Sequence, residues 1–272
     1  MNIHYALQTC DSSFNQTEKR FCADTKQEVI KKCVTSFFNS VAYVSRMKTD
    51  VAHIVKIFDD HSSQETLDFL NGLKNKYSSK NIIIEVESLN DRGVMSSIKS
   101  CYDWLLKNGT DLVYQVQDDY LFFDSAIYEM VDAYFQLLKD CDTMSIVMPY
   151  NPPYIWNNLG SYYYKNKVSS PRVIMPGVKR YWIQAYDTSC SFMTSIHQMR
   201  TNRDLLETFV SMDPKHSKLE IVSLNRMFTE RGILGIMPVN SVALHMQSEM
   251  ERDPYIEWKP LWESIDEDTT TR

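Results

Sequence analysis

One stretch constrains this chain more than any other: residues 111–123, DLVYQVQDDYLFF. Leu112, Val113, Tyr114 and Val116 form a near-continuous apolar run of β-branched and aromatic residues, the pattern of a strand buried on both faces of a mostly parallel sheet. The run stops at two adjacent carboxylates, Asp118 and Asp119, and aromatic residues follow. Two acids at the end of a buried strand are costly unless something positive meets them. In an open α/β sheet, ligands bind in the crevice outside the strand carboxyl ends. Divalent cations such as Mg²⁺ are held there by one or two carboxylates together with substrate phosphates. The stretch therefore points to a metal–diphosphate site; a solvated acidic turn after a strand is the competing reading of the same residues.

The surrounding pattern supplies the sheet. Strands are expected at 3–7, 51–58 and 82–86, with helices between them and before the 111–123 stretch. Asp24 is the expected cap of the first helix, whose apolar stripe is Val29, Ile30, Cys33, Val34, Phe37, Phe38 and Val41. Ser62 and Glu65 stand at capping-box spacing ahead of the second, and the third runs through Ile98, Cys101, Trp104 and Leu105 to Gly109. Four strands alternating with three helices predict a parallel sheet with right-handed crossovers. In the second half, a helix from Ser125 to about Asp140, strands near 144–148, 181–185, 191–195, 233–237 and 239–246, and one helix over 219–231 are expected. An irregular segment, 149–177, is rich in Pro, Asn, Tyr and Lys, and such a long segment inside a compact domain is usually functional or mobile. The expected organisation of the 272 residues is one domain: a ligand-binding half, 1–123, a second half, 124–247, and an acidic tail, 248–272, with Trp258 and Trp262 as its docking residues.

Composition narrows the classes. A net charge of −6 argues against a uniformly basic nucleic-acid face, though not against a local basic groove. No apolar run is long enough to span a bilayer, and MNIHYALQT has neither the basic nor the apolar segment of a signal peptide, so the expectation is a cytoplasmic protein with no membrane span. The six cysteines include no CxxC pair, which disfavours a zinc ribbon and agrees with reduced thiols.

Three strand ends carry acids: Asp11, Asp59 with Asp60, and Asp118 with Asp119. Adjacent parallel strands would converge these on one crevice. Neither GxGxxG nor a Walker pattern occurs, so a phosphate ligand would need a metal and side chains rather than a glycine-rich nest.

These residues carry a resemblance. IFDDHSSQETLDFL resembles the segment of family-2 nucleotide-sugar glycosyltransferases in which an acid after the second strand holds the uracil and ribose. SLNDRGVMSSIKSCYDWL resembles their Asn-x-Gly loop and the helix after it, QDDY looks like their DxD-type metal motif, and KLEIVSLNRMFTERG looks like the late helix that carries the catalytic base. The resemblance implies a GT-A fold: an α/β domain with a Rossmann-like, mostly parallel central sheet flanked by helices and a mixed acceptor-binding second half. It implies inverting transfer from a nucleoside-diphosphate sugar, a UDP-sugar, with Mn²⁺ or Mg²⁺ as cofactor. The chain is similar in this respect to enzymes encoded by large tailed phages, which extends the expected acceptors from a saccharide to a hydroxymethylated base in phage DNA, and the expected place to the host cytoplasm.

On that pattern Thr9, Asp11, Asp59 and Asp60 face the nucleoside. Gln117 stands where the first DxD acid would be, so Asp119 is assigned to the metal and Asp118 to the ribose or metal-bound waters. The late helix reads Glu220-Ile221 where the family has Glu-Asp. Glu220 is the expected base, since an attacking hydroxyl must lose its proton to a carboxylate opposite the leaving group; a first-turn acid favoured by the helix dipole is its other reading. Asp187 is the reserve. His245 is a metal-ligand candidate by the same resemblance, or else a core histidine. Lys99, Arg172, Lys179 and Arg180 are candidate anion contacts, and Tyr154, Trp156, Tyr162, Tyr163, Tyr164, Tyr181 and Trp182 candidate stacking surfaces for sugars or bases. The rival classes are a non-catalytic sugar-nucleotide or glycan-binding protein of this fold and, more distantly, a nucleotidyltransferase.

Overall fold

A computed structural model of the chain describes residues 1–12, 22–23, 25–141, 145–152, 173–188, 191–248 and 253–267. The first half alternates as its hydrophobic pattern requires: β1 (Asn2–Thr9), α1 (Lys26–Met47), β2 (Ala52–Asp59), α2 (Gln64–Tyr77), β3 (Ile82–Ser88), α3 (Val94–Asn108) and β4 (Leu112–Gln117). A three-residue strand, β5 (Tyr120–Phe122), follows at once, then α4 (Ala126–Cys141) and β6 (Ser145–Val147). Beyond these come β7 (Ile174–Pro176), β8 (Tyr181–Ala185), β9 (Phe192–Ser195), α5 (Ile196–Thr201), α6 (Arg203–Ser211), α7 (Leu219–Val222), α8 (Arg226–Thr229), β10 (Leu234–Pro238), β11 (Ala243–His245) and α9 (Trp258–Ser264).

Among the described residues, nine strands form one sheet in the order β3-β2-β1-β4-β9-β6-β10-β8-β7. β3, β2, β1 and β4 are parallel, β6 and β10 are parallel, and β9 and β8 run against their neighbours. The strand order reverses at β1: β2 lies on one side of it and β4 on the other. Register puts Thr9 beside Asp59 and Gln8 beside Gln117, so the carboxyl ends of the three strands meet at one edge. That is the switch point at which an open α/β sheet makes its ligand crevice.

Among the described residues, three apolar clusters hold this edge in place. One joins the sheet to α1, α2 and α4 through Val34, Phe37, Phe38, Leu70, Leu73 and Met130. A second covers the other face with Ile98, Cys101, Leu105, Leu206 and Phe209. The third packs Trp258 and Trp262 of α9 against Val29 and Cys33 of α1 and against Leu121, Leu244 and Met246. The tail therefore docks through its tryptophans, as their sequence suggests, and braces the two-stranded ribbon that β5 makes with β11.

The structure departs from expectation at several boundaries. Thr25 caps α1, its hydroxyl accepting the Glu28 N–H at 3.1 Å; Asp24 lies outside the described residues. Ser63, not Ser62, caps α2, and Glu65 pairs with Lys31 at 2.7 Å instead of closing a capping box. The helix expected over 219–231 is two single turns, α7 and α8. Between them the buried Ser223 returns its hydroxyl to the Leu219 carbonyl, and Asn225 N–H closes on the Glu220 carbonyl at 2.8 Å, local bonds that compete with a continuous helix. The strand expected over 239–246 shrinks to β11, which leaves the main sheet to pair with β5.

Candidate active site

The β4 strand ends where β5 begins, and Asp118 and Asp119 form the step between them. Both are nearly enclosed, 7% and 8% exposed. Asp118 accepts the Cys10 N–H at 2.9 Å from the end of β1 and takes the Lys26 ammonium at 2.6 Å. The same ammonium lies 3.6 Å from Asp119. On the other side of Asp119, His245 Nε2 stands 3.5 Å from Oδ1. The ribbon register sets that distance: His245 pairs with Tyr120, and its imidazole stacks on the Tyr120 ring at 4.7 Å. The Asp119 carbonyl also accepts the Met246 N–H at 2.8 Å, which ties the acid's backbone to the histidine strand.

Electrostatically this is an acid pair with a mostly buried cation between its members. Burial holds the Asp118 carboxyl above the usual carboxylate range; Lys26 pulls it down, and the neighbouring Asp119 adds to the rise. Lys26 is the first residue of α1, and its side chain is only 10% exposed. The sequence motifs do not single it out: a lysine at the start of a helix carries no local sign of a buried ion pair.

The second group of acids lies at the ends of β1 and β2. Asp59 is fully buried, with Thr9 Oγ1 on one oxygen and Ser62 N–H on the other, each at 3.0 Å. Asp60 accepts the Gly93 N–H at 2.9 Å and faces Ser97 at 3.3 Å, and its other oxygen meets His61 Nδ1 at 2.9 Å. Asp11 accepts from Ser63 N–H, from the Ser63 hydroxyl at 2.6 Å and from the Thr66 hydroxyl at 2.6 Å. These carboxylates thus fasten the turn after β2 to the starts of α2 and α3. His61 holds the turn in the left-handed region, φ 59°, which costs a non-glycine residue strain unless the surroundings fix it, as Asp60 does here. Of this group Asp11 is the half-exposed member.

The two base candidates lie close in the fold. Asn225 donates its side-chain amide to Asp187 Oδ1 at 2.7 Å and its backbone N–H to the Glu220 carbonyl. Glu220 sits half-buried in the single turn α7. The structure thus joins Asp118, Asp119 and His245 in one group, Thr9, Asp11, Asp59 and Asp60 in a second, and Asp187 with the Glu220 segment in a third. Lys99 is joined to none of them by its ion pair: it faces solvent on α3, paired with Asp103 at 2.5 Å. Arg180 is drawn to the buried Glu129, and Lys179 lies over the Tyr43 ring. Trp182 is buried and Tyr181 exposed, while Tyr154, Trp156, Tyr162, Tyr163, Tyr164 and Arg172 lie outside the described residues.

The carboxylates suit Mn²⁺ or Mg²⁺, and the imidazole suits either less than an acid does. Among the described residues, however, no three such groups already form a metal cage. The acids surround an ammonium instead. The arrangement fits a cation completed by phosphate oxygens and water, not one held by the protein alone.

Neither the family models nor the curated proteins compared with this sequence give a match. Among solved structures, the chain is similar to a mannosyltransferase from Pyrobaculum calidifontis in complex with GDP-Man and Mn²⁺, at 13% identity and a TM-score of 0.52, over 91% of this chain and 57% of that one. The chain thus spans little more than half the length of that protein. It also aligns with the galactosyltransferase LgtC in complex with donor and acceptor sugar analogs, at 12% identity over 86% of this chain and 73% of that one; its TM-score of 0.39 gives that alignment no weight. No helix among the described residues is long and apolar enough to cross a membrane. The chain has the GT-A-type α/β fold, with a large, mostly parallel central sheet flanked by helices.

Proposed function

We propose that this chain is a metal-dependent inverting glycosyltransferase that moves a sugar from a nucleoside-diphosphate donor, a UDP-sugar, to a hydroxyl acceptor. The observation that carries the reading is the placing of Asp118, Asp119 and His245 together at the switch point of a GT-A-type sheet. The mannosyltransferase of that fold was solved in complex with GDP-Man and Mn²⁺, which supports a nucleotide-sugar donor and a metal here.

Asp119 and His245 would hold the cation, with Asp118 beside it toward the ribose. When bound, the cation neutralises the charge that grows on the departing diphosphate, without proton transfer. Thr9, Asp11, Asp59 and Asp60 form the nucleoside side; with Asp59 sealed, its part is to position the turn that Asp11 and Asp60 share. Glu220 takes the acceptor proton as the hydroxyl attacks, on the face opposite the diphosphate, and Asp187 is the alternative base.

A saccharide is the favoured acceptor. A hydroxymethylated base in phage DNA is the second; the aromatic and basic stretch that suggested it lies mostly outside the described residues. Incubation with a panel of UDP-sugars, Mn²⁺ and either simple glycosides or hydroxymethylcytosine-containing DNA tests the reading. Labelled sugar on an acceptor, with release of UDP, is the expected result. Tight donor binding with neither transfer nor hydrolysis would make the chain a sugar-nucleotide-binding protein instead.

A further inference from the structure

Among the described residues, the ammonium that meets both acids is that of Lys26, and nothing in the nucleotide-sugar reading requires it. Its ammonium stands against both acids, 2.6 Å from Asp118 and 3.6 Å from Asp119, the carboxylate that would hold a metal with His245. The group is closed, with Lys26, Asp118, Asp119 and His245 side chains between 10% and 14% exposed. The backbone of Lys26 is fixed as the first residue of a capped helix that runs to Met47. A lysine's four-carbon stem is flexible and ends in a compact point charge.

An ammonium and a divalent ion cannot both sit on the same carboxylate oxygens without strong repulsion. A diphosphate changes that balance, because its oxygens bring negative charge to both. We propose that Lys26 couples metal to donor: it neutralises Asp118 and Asp119 and keeps a metal out while the donor is absent, then turns its ammonium to the diphosphate when metal and donor enter together. The inference rests on the donor reading above. It assigns Lys26 as a diphosphate-binding residue and makes metal binding depend on the nucleotide. It also accounts for the lack of a preformed metal cage among the described residues.

The test measures Mn²⁺ binding by electron paramagnetic resonance and calorimetry, with and without UDP, on the full chain and on Lys26→Met, Lys26→Gln and Lys26→Arg. Wild type is expected to bind Mn²⁺ weakly alone and at least about tenfold more tightly with saturating UDP, the scale of one neighbouring charge removed or compensated at partly buried spacing. Lys26→Met and Lys26→Gln are expected to bind Mn²⁺ alone about tenfold more tightly than wild type, to bind UDP more weakly, and to lose most of the UDP-induced gain. Lys26→Arg keeps the charge and should keep the coupling. Neutral variants that bind Mn²⁺ alone no better than wild type would overturn the inference, as would a wild type whose Mn²⁺ affinity ignores UDP. If the neutral variants fail to fold, the wild-type and Lys26→Arg coupling measurements decide it alone. Should no nucleotide bind wild type at all, the donor reading fails, and the comparison of Mn²⁺ alone still tells whether Lys26 guards the acids.

Discussion

Asn225 fastens Asp187 to the segment that opens with Glu220. Its side-chain amide donates to Asp187 Oδ1 at 2.7 Å, its side-chain oxygen accepts the Thr188 N–H at 3.0 Å, and its backbone N–H reaches the Glu220 carbonyl. One buried asparagine therefore holds the Asp187 carboxylate directly and the Glu220 backbone through its carbonyl.

Replacing either carboxylate separates their roles. Glu220→Gln should bind donor normally and lose transfer by about 10²–10⁴-fold, the usual cost of removing a general base. Steady-state rates and donor calorimetry check it. Full turnover in that variant, with loss in Asp187→Asn, would move the base to Asp187. Asn225→Ala should lower both stability, by roughly 1–3 kcal/mol for the buried partners left unpaired, and transfer, through displacement of the carboxylates.

Arg180 tests the scaffold rather than the chemistry. Its guanidinium meets Glu129, which is only 3% exposed, and also reaches the Asn240 carbonyl at 2.8 Å. Arg180→Ala leaves a buried carboxylate with one charged partner removed, so chemical denaturation should show a loss on the order of 3–5 kcal/mol. Donor affinity per folded molecule should not change. A selective loss of donor binding with stability intact would instead make Arg180 a phosphate contact.

His53 gives the pH response of the fold. It is fully buried, one ring nitrogen sits 2.9 Å from the Tyr5 hydroxyl, and burial lowers its pKa to about 4. A depressed histidine stabilises the fold above its unfolded pKa near 6.5, and that stability is lost as pH falls through the folded value. The span corresponds to roughly 3 kcal/mol at one proton taken up on unfolding. Urea melts of wild type between pH 7 and about pH 4 should show that decline. His53→Gln should flatten it; an unchanged slope would place the proton uptake elsewhere, for instance on His4, whose pKa burial also lowers.

Much of the first half was legible because its signals are periodic. The run Leu112–Gln117, the alternation of strands with amphipathic helices, and acids at successive strand ends all follow from burial on a parallel sheet, and the structure places them at one edge. What was illegible depends on contacts between distant residues. Nothing local says that Ala243–His245 leaves the main sheet for β5, yet that pairing brings His245 to Asp119. The pairing of Lys26 with Asp118 spans 92 residues, and a lysine one residue past a helix cap reads as solvated. Glu220 was read into one long helix because its apolar spacing continues past Ser223; the hydroxyl bond that breaks the helix leaves no mark on that spacing.

Asp119 is the residue on which the proposed chemistry turns, and calorimetry of UDP binding tests it most directly. The titration is run with Mn²⁺ and with EDTA, on wild type and on Asp119→Asn, whose neutral amide keeps the side chain's shape and takes away its charge. The expected result is UDP binding to wild type that weakens at least about tenfold when the metal is chelated, a gap of about 1.4 kcal/mol, and that nearly closes in the folded Asp119→Asn variant. Equal UDP affinity with Mn²⁺ and with EDTA in wild type would contradict a metal–diphosphate site at the end of β4.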